Sequence, residues 1–239
     1  MISKINHPQS TTALVEQAVP LTDDTVKLIL IPKQYIDYAA GQYLKLIFRD
    51  KPEEPLLFSI ANAALGAAGY ELHIRHESDN RMHTRLFQAI KNRSKLTVRL
   101  PFGECHVEHL APDKPIIFIA GGTGFAPIKS MIEHLLLTLD SRSFSLYWNA
   151  RTARDFYMQA KVKSWKKHVR RFVLCDFLSE SEAKSSLIAR IITNDPGVIH
   201  GTTQIVLAGP FDMIYRMRDA LVKLGVVKNN LFADAFSFE

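Results

Sequence analysis

The sequence has 239 residues, of which 47% are apolar and 23% are charged. These values are ordinary for a globular protein and exclude a disordered chain, a collagen and a low-complexity array. The net charge of +6 suits an anionic partner, but Lys and Arg are scattered among Asp and Glu, so we expect no nucleic-acid partner. The densest basic run, 161–171, fits a solvated helix face.

The two cysteines, Cys105 and Cys175, form no CxxC pair, which excludes a zinc ribbon and an in-chain iron–sulfur cluster. We expect two buried thiols and no metal centre. The first twelve residues lack the apolar core of a signal peptide, and no apolar run reaches the length of a membrane span. The sequence therefore predicts a soluble, cytoplasmic protein.

The first half of the chain predicts an antiparallel β-barrel. Apolar and polar residues alternate in short runs, most clearly in 25–30 and 70–75. A single helix, 82–91, interrupts these runs. Six short strands separated by turn residues are typical of a closed antiparallel barrel. The predicted strands are 13–19, 25–31, 42–48, 56–61, 70–76 and 95–100.

The second half predicts an α/β domain in which helices flank a parallel sheet, because strands and helices alternate along the chain. The boundary falls near residue 110, giving a barrel domain over 1–110 and an α/β domain over 111–239. The predicted strands are 115–120, 144–148, 172–175 and 204–207, and the predicted helices are 126–139, one from about 153, 187–193 and 210–224.

A glycine turn follows the first strand of this domain. Gly121, Gly122, Thr123 and Gly124 lie between a buried strand and a helix whose first turn contains Pro127. Free backbone N–H groups and the helix dipole meet at such a point, and glycines let a phosphate approach closely. A second turn of this kind, Gly209 and Pro210, follows a later strand, and two such strand ends at one crevice favour a nucleotide site.

Two common phosphate-binding motifs do not match. Lys129 and Ser130 resemble the end of a P-loop, but its required glycines would fall at Thr123 and Ile128. The usual dinucleotide fingerprint would require glycine at Pro127, and no acidic residue follows the next strand.

Seven further segments occur in the order and at the spacing of one family. They are GQY at 41–43, FSIAN at 58–62, ELHI at 71–74, LPFG at 100–103, NAR at 149–151, AGP at 208–210 and LFADAF at 231–236. With the glycine turn, the chain resembles the ferredoxin–NADP reductase superfamily, and within it the NAD(P)H:flavin oxidoreductases of the Fre type. The resemblance implies a flavin-binding barrel, a nicotinamide-binding α/β domain, and hydride transfer from NADH or NADPH to flavin N5.

The resemblance also implies roles for particular residues. Ser59 would hydrogen-bond near flavin N5 and Thr123 would reach toward both rings, which makes these two the expected catalytic residues. The remaining expected flavin contacts are Phe58, Ile60, Ala61, His73, Ile74 and Arg75. The remaining expected nicotinamide contacts are Gly121, Gly122, Gly124, Pro127, Asn149, Arg151, Gly209, Pro210 and Phe236. Arg151 and Arg154 could meet a 2′-phosphate, so the choice between NADH and NADPH stays open.

Two positions depart from the family pattern. Leu56 stands where relatives carry an arginine that contacts the flavin, and Ala208 replaces a cysteine near the nicotinamide. The loss of one charge-assisted contact is worth roughly 1.5–3 kcal/mol, so we expect flavin to bind weakly and to act more as a substrate than as a prosthetic group. Arg75, Arg81 or Arg85 could compensate.

Three functions remain open at this point. The first is reduction of free riboflavin, FMN or FAD by NADH or NADPH. The second keeps the chemistry but holds FAD tightly and passes electrons to a partner protein, such as an oxygenase or a deoxysugar dehydratase. The third is a nucleotide-binding module without catalysis.

Overall fold

The computed structural model describes residues 7–77, 79–92, 94–165, 171–176 and 180–238, without the side chains of 171–186. The side chain of Cys175 and most of the basic run 161–171 therefore lie outside the described residues. Cys105 is buried with a free thiol. Within the described part of the chain, no helix is long and apolar enough to cross a membrane.

The first domain is a six-stranded antiparallel sheet in the order β4-β3-β6-β1-β2-β5. Alternating residues of these strands face one core, as in the buried positions of Leu28, Leu30, Leu44 and Leu46. A helix, α1 (Arg81–Lys91), joins the last two strands, and the Asn80 side chain caps its first turn. The strands are β1 (Gln9–Pro20), β2 (Thr25–Pro32), β3 (Tyr43–Phe48), β4 (Lys51–Ser59), β5 (Tyr70–Arg75) and β6 (Leu96–Phe102).

The predicted closed barrel is only partly closed. The edge strands β4 and β5 meet at one isolated bridge, between Ile60 and Leu72, instead of along a ladder. Strand β4 also begins five residues earlier than predicted. Its first half, including Pro52, is exposed and charged, which suits an edge strand and hides the alternation by which a strand is recognised.

The second domain is a five-stranded parallel sheet in the order β11-β10-β7-β8-β9. All six residues of β7 are buried, because alternate side chains enter the cores on the two faces of the sheet, Phe118 on one face and Ile119 on the other. The strands are β7 (Ile116–Gly121), β8 (Phe144–Ala150), β9 (Arg171–Asp176), β10 (Gln204–Ala208) and β11 (Leu231–Phe232). The helices are α2 (Phe125–Leu137), α3 (Gln159–Ser164), α4 (Glu180–Asn194) and α5 (Phe211–Lys223).

The predicted two-domain fold is confirmed, with differences in the second half. The sequence missed β11, whose two residues are too few to show a periodicity. The helix predicted from 153 is a 3₁₀ turn followed by the six-residue α3, and α4 extends well beyond the predicted 187–193. The predicted boundary near residue 110 falls in the connection between β6 and β7.

Candidate functional site

A cavity of about 300 Å³ lies between the two domains, and both contribute to its walls. This volume is at the lower end of the range for small-molecule sites. The barrel supplies Gly41, Leu57, Phe58, Ser59, His73 and Cys105. The α/β domain supplies Thr123, Gly124, Ala126, Pro127, Met131, Val206, Leu207, Ala208, Gly209, Phe211, Ile214, Asp234 and Ala235.

The α/β wall is formed by the two glycine turns, which touch each other. Residues 122–124 form a 3₁₀ turn between β7 and α2. A Cβ atom added to Gly124 would overlap the backbone carbonyl of Ala208, so only glycine lets the two strand ends approach this closely. Gly122, with φ of +53°, has open space where a side chain would be. The turn therefore offers bare backbone at the start of a 13-residue helix, which suits an anionic ligand.

The barrel wall carries the end of β4 and the middle of β5. Ser59 lines the cavity from the barrel, and Thr123 lines it from the glycine turn. Neither hydroxyl has a hydrogen-bond partner within the described part of the chain. Each domain thus contributes one wall residue whose hydroxyl is uncommitted and could engage a bound ligand.

Seven of the predicted site residues line the cavity: Phe58, Ser59, His73, Thr123, Gly124, Pro127 and Gly209. Ile60, Ala61 and Ile74 are fully buried in the barrel, next in sequence to wall residues. Arg75 holds an ion pair with Asp24 at 2.7 Å.

The other predicted nicotinamide contacts lie around the turn without lining the cavity. Gly122 accepts a hydrogen bond from the Trp148 indole through its carbonyl, and Gly121 packs against Met213. Pro210 precedes the first turn of α5. These three residues shape the backbone that forms the wall.

The remaining predicted residues differ in their surroundings. The buried side-chain oxygen of Asn149, at the end of β8, has no hydrogen-bond partner among the described residues. Arg151 is exposed. The ring of Phe236 packs near Tyr215, with the Arg218 guanidinium 5.6 Å from its centroid, and does not line the cavity.

Sequence reasoning missed several wall residues, of which Asp234 is the most notable. One of its oxygens accepts the backbone N–H of Cys105 at 2.9 Å, so the C-terminal segment is tied to the barrel across the cavity. Burial raises the pKa of this carboxyl to about 6, although backbone hydrogen bonds from Cys105 and Glu104 oppose the shift. Burial also raises the pKa of the Cys105 thiol. Asp234 lay within the LFADAF segment, but only the fold brings it to this wall.

A second polar link between the domains lies behind His73. The Nε2 atom of His73 is 2.8 Å from a carboxylate oxygen of Glu71, and its Nδ1 is 3.1 Å from the hydroxyl of Tyr157. Burial opposes ionisation of Glu71, but the His73 hydrogen bond and the Lys129 charge outweigh it and lower the pKa of Glu71 to about 2. Burial lowers the pKa of His73. We therefore assign neutral His73 that donates from Nε2 to Glu71 and accepts the Tyr157 hydroxyl at Nδ1.

Of the three arginines that could replace the missing one, Arg75 and Arg85 are engaged elsewhere, and Arg81 is exposed at the start of α1. Leu56 is half-buried and packs against the barrel core opposite Leu46. Arg75 is paired with Asp24, and Arg85 is paired with Asp50.

Glu104, His106 and His109 form a group of three potential metal ligands, with ligand atoms within 4.8 Å of one another. None of the three lines the cavity. The two imidazole rings pack against each other, with centroids 3.8 Å apart.

Comparison with known proteins gives a consistent result. Residues 118–219 match the family described as Oxidoreductase NAD-binding domain. The CDP-6-deoxy-L-threo-D-glycero-4-hexulose-3-dehydrase reductase of Yersinia pestis is 30% identical over 215 residues, which cover 88% of this chain and 63% of that protein. The NAD(P)H-flavin reductase of Aliivibrio fischeri is 27% identical over 233 residues, which cover 94% of this chain and 97% of that protein. The chain spans about three fifths of the length of several curated relatives that it matches.

Solved structures share the whole fold. The ferredoxin reductase in carbazole 1,9a-dioxygenase has a TM-score of 0.80 at 18% identity. The match covers 97% of this chain and 70% of the ferredoxin reductase chain. A ferredoxin NADP+ reductase from Neisseria gonorrhoeae with bound FAD and NADP has a TM-score of 0.78 at 16% identity. The match covers 94% of this chain and 97% of that reductase chain. At these identities the likeness establishes the fold.

Proposed function

We propose that the chain is a member of the ferredoxin–NADP reductase superfamily and an NAD(P)H-dependent flavin reductase that transfers hydride from a nicotinamide nucleotide to riboflavin, FMN or FAD. The observation that carries the proposal is the cavity between the domains. It has the glycine turn with Thr123 on one wall and Ser59 at the end of β4 on the other, so each domain contributes one wall residue that carries a hydroxyl group.

The residues around the cavity suit both nucleotides. The bare backbone of the glycine turn would hold nucleotide phosphates at the start of α2. Phe58 and Ser59 would hold the flavin ring, and the hydroxyl of Ser59 would orient it. A bound flavin supplies the redox chemistry by accepting hydride at N5. The protein's own contribution would be to bring the two ligands together in one cavity.

Weak retention of the flavin favours the free-flavin role. Leu56 offers no charge at the position where relatives carry arginine, and Arg75 and Arg85 are paired with carboxylates of their own. A flavin that binds without a charge-assisted contact to its phosphate leaves the protein more readily. The match to the Aliivibrio fischeri NAD(P)H-flavin reductase along nearly the whole chain agrees with this role.

A second candidate is a reductase that holds FAD and passes electrons to a partner protein. The matches at 30% identity to a dehydrase reductase and to the reductase component of terephthalate 1,2-dioxygenase favour it.

One set of assays separates the candidates. Oxidation of NADH and of NADPH is measured separately, without flavin and with added riboflavin, FMN or FAD. Turnover that depends on added flavin, from protein that purifies colourless, supports the free-flavin reductase. Yellow protein with stoichiometric FAD and turnover only with a protein acceptor supports the second candidate. No turnover under any condition would leave a nucleotide-binding module without catalysis.

A further inference from the structure

Lys129 and Ser130, which resemble the end of a P-loop in the sequence, are turned away from the phosphate-binding turn. They lie in the second turn of α2, and their side chains are buried against the barrel. The Lys129 ammonium donates to the carbonyl oxygen of Ala61 at 2.9 Å, and the Ser130 hydroxyl donates to that of Asn62 at 2.7 Å. Two consecutive residues of one domain thus hold two consecutive carbonyl groups of the other.

The ammonium group of Lys129 is fully satisfied in this position. Besides the Ala61 carbonyl, it contacts Glu133 at 2.9 Å and Glu71 at 3.3 Å, and only 4% of the side chain is exposed. A buried charge is tolerated only where it is paired and hydrogen-bonded, and such a group tolerates little displacement. The contact therefore defines where α2 sits relative to β5 and to the segment after β4.

The two ends of this contact belong to the two walls of the cavity. Ala61 and Asn62 follow Ser59 by two and three residues, immediately after the end of β4. Lys129 follows Gly124 by five residues along a continuous helix. A shift of this contact would change the separation of the Ser59 and Gly124 walls, because strand end and helix are each stiff over so short a distance.

We propose that Lys129 and Ser130 are positioning residues that set the separation of the flavin and nicotinamide sides of the cavity by holding the Ala61 and Asn62 carbonyls to α2. This inference rests on the proposed function. Neither residue would touch the reacting atoms. The same Glu71 carboxylate that contacts Lys129 also fixes the His73 ring in the cavity wall, so displacement of Lys129 would also release a wall residue.

Three variants test the proposal. Lys129→Met removes the charge and leaves two buried carboxylates without it, so this variant could fold poorly. Ser130→Ala is milder, because the Asn62 carbonyl keeps its hydrogen bond from the Tyr38 hydroxyl at 2.9 Å. Lys161→Met is the matched control. Lys161 pairs with the same Glu133 carboxylate at 3.0 Å, but it is half exposed and belongs to the same domain as Glu133.

The kinetic readout is the division of the effect between kcat and binding. For Lys129→Met we expect kcat to fall on the order of 100-fold, as for other misplacements of reacting groups, and for Ser130→Ala about 10-fold. For Ser130→Ala, the dissociation constants of the flavin and of the nicotinamide nucleotide, each measured alone, should stay within about threefold. Lys161→Met should match the unchanged protein. An unaltered kcat in Ser130→Ala, or a loss of binding that accounts for the whole effect, would overturn the proposal.

Two readouts do not depend on turnover. The long-wavelength absorbance of a nicotinamide ring stacked on a flavin should weaken in Lys129→Met and Ser130→Ala but not in Lys161→Met. In the protein without nucleotides, amide hydrogen exchange over 58–62 should accelerate in Ser130→Ala relative to Lys161→Met. If the protein without substitutions oxidises neither NADH nor NADPH, the proposed function fails. If amide hydrogen exchange over 58–62 is the same in Ser130→Ala as in Lys161→Met, the contact is not a positioning device, whatever the outcome of the activity assay.

Discussion

The two walls of the cavity are built in different ways. Most residues of the α/β wall come from two segments that are each contiguous in sequence, namely the turn and helix start after β7 and the end of the neighbouring strand β10 with the turn after it, while Asp234 and Ala235 are added from the C-terminal segment. The barrel wall is assembled from residues far apart in the chain, including Gly41, Ser59, His73 and Cys105. The comparison agrees with the proposal of a nicotinamide side that is largely formed by local turns and a flavin side that depends on long-range packing.

The largest expected effect comes from closing the gap between the two turns. Gly124→Ala would place a methyl group on the Ala208 carbonyl, so we expect a loss of about 3 kcal/mol in the free energy of unfolding and at least 100-fold weaker nicotinamide binding. Gly122→Ala is the matched control. Its methyl group meets open space, and only its φ of +53° costs about 1–2 kcal/mol. Denaturant unfolding and nicotinamide titration measure both, and equal effects would contradict the argument.

The same difference explains what the sequence could predict. The sequence predicts a turn between a strand and a helix at 121–124, and the structure has that geometry there, because it needs only adjacent residues. Asp234 was missed as a wall residue, because its position depends on the C-terminal segment crossing to the barrel. The partial closure of the barrel was missed too, since whether edge strands pair is a matter of three-dimensional register and not of alternation.

The role of Lys129 was equally hidden. Its neighbours in sequence suggested a phosphate, whereas its partners Ala61 and Glu71 are about 60 residues distant in the chain. Local pattern predicted most of the strands and helices and the turn between β7 and α2. The contacts between the domains required the structure.

The next prediction concerns the barrel wall. Ser59→Ala should lower kcat about 10- to 100-fold, because it removes the hydroxyl proposed to orient the flavin, while the dissociation constant of the nicotinamide nucleotide stays unchanged. The hydroxyl has no hydrogen-bond partner within the described residues, so stability should be unaffected. Ser10→Ala, on the exposed part of β1, is the control. If nicotinamide affinity changes by the same factor as kcat, Ser59 affects the nicotinamide side as well, and the two walls do not act independently.

The link between the walls at Asp234 should appear in the pH dependence of stability. The pKa of this carboxyl is about 6 in the folded protein, above its ordinary value of 3.8, so the folded state binds more protons between these values. The free energy of unfolding should therefore fall, relative to Asp234→Asn, as pH rises from about 4 to 6, and level off above that. The expected size is about 2 kcal/mol. Unfolding measured from pH 4 to 8 tests this, with Asp212→Asn, an exposed site on α5, as control. A difference that does not vary with pH would refute the raised pKa.

The smallest expected effect comes from adding a positive charge at residue 56. Leu56→Arg should strengthen FMN or FAD binding about tenfold, since the resemblance implies that an arginine at this position contacts the flavin, and the aliphatic stem would replace part of the leucine packing beside the barrel core. Riboflavin has no phosphate, so its affinity should change less, and Leu56→Met should leave all three affinities unchanged. Fluorescence titration measures them. If Leu56→Arg strengthens none, the weak grip of the barrel wall has another origin, in the pairing of Arg75 with Asp24 and of Arg85 with Asp50. If Leu56→Arg strengthens the binding of FMN and FAD but not that of riboflavin, the missing positive charge at residue 56 accounts for the weaker flavin binding.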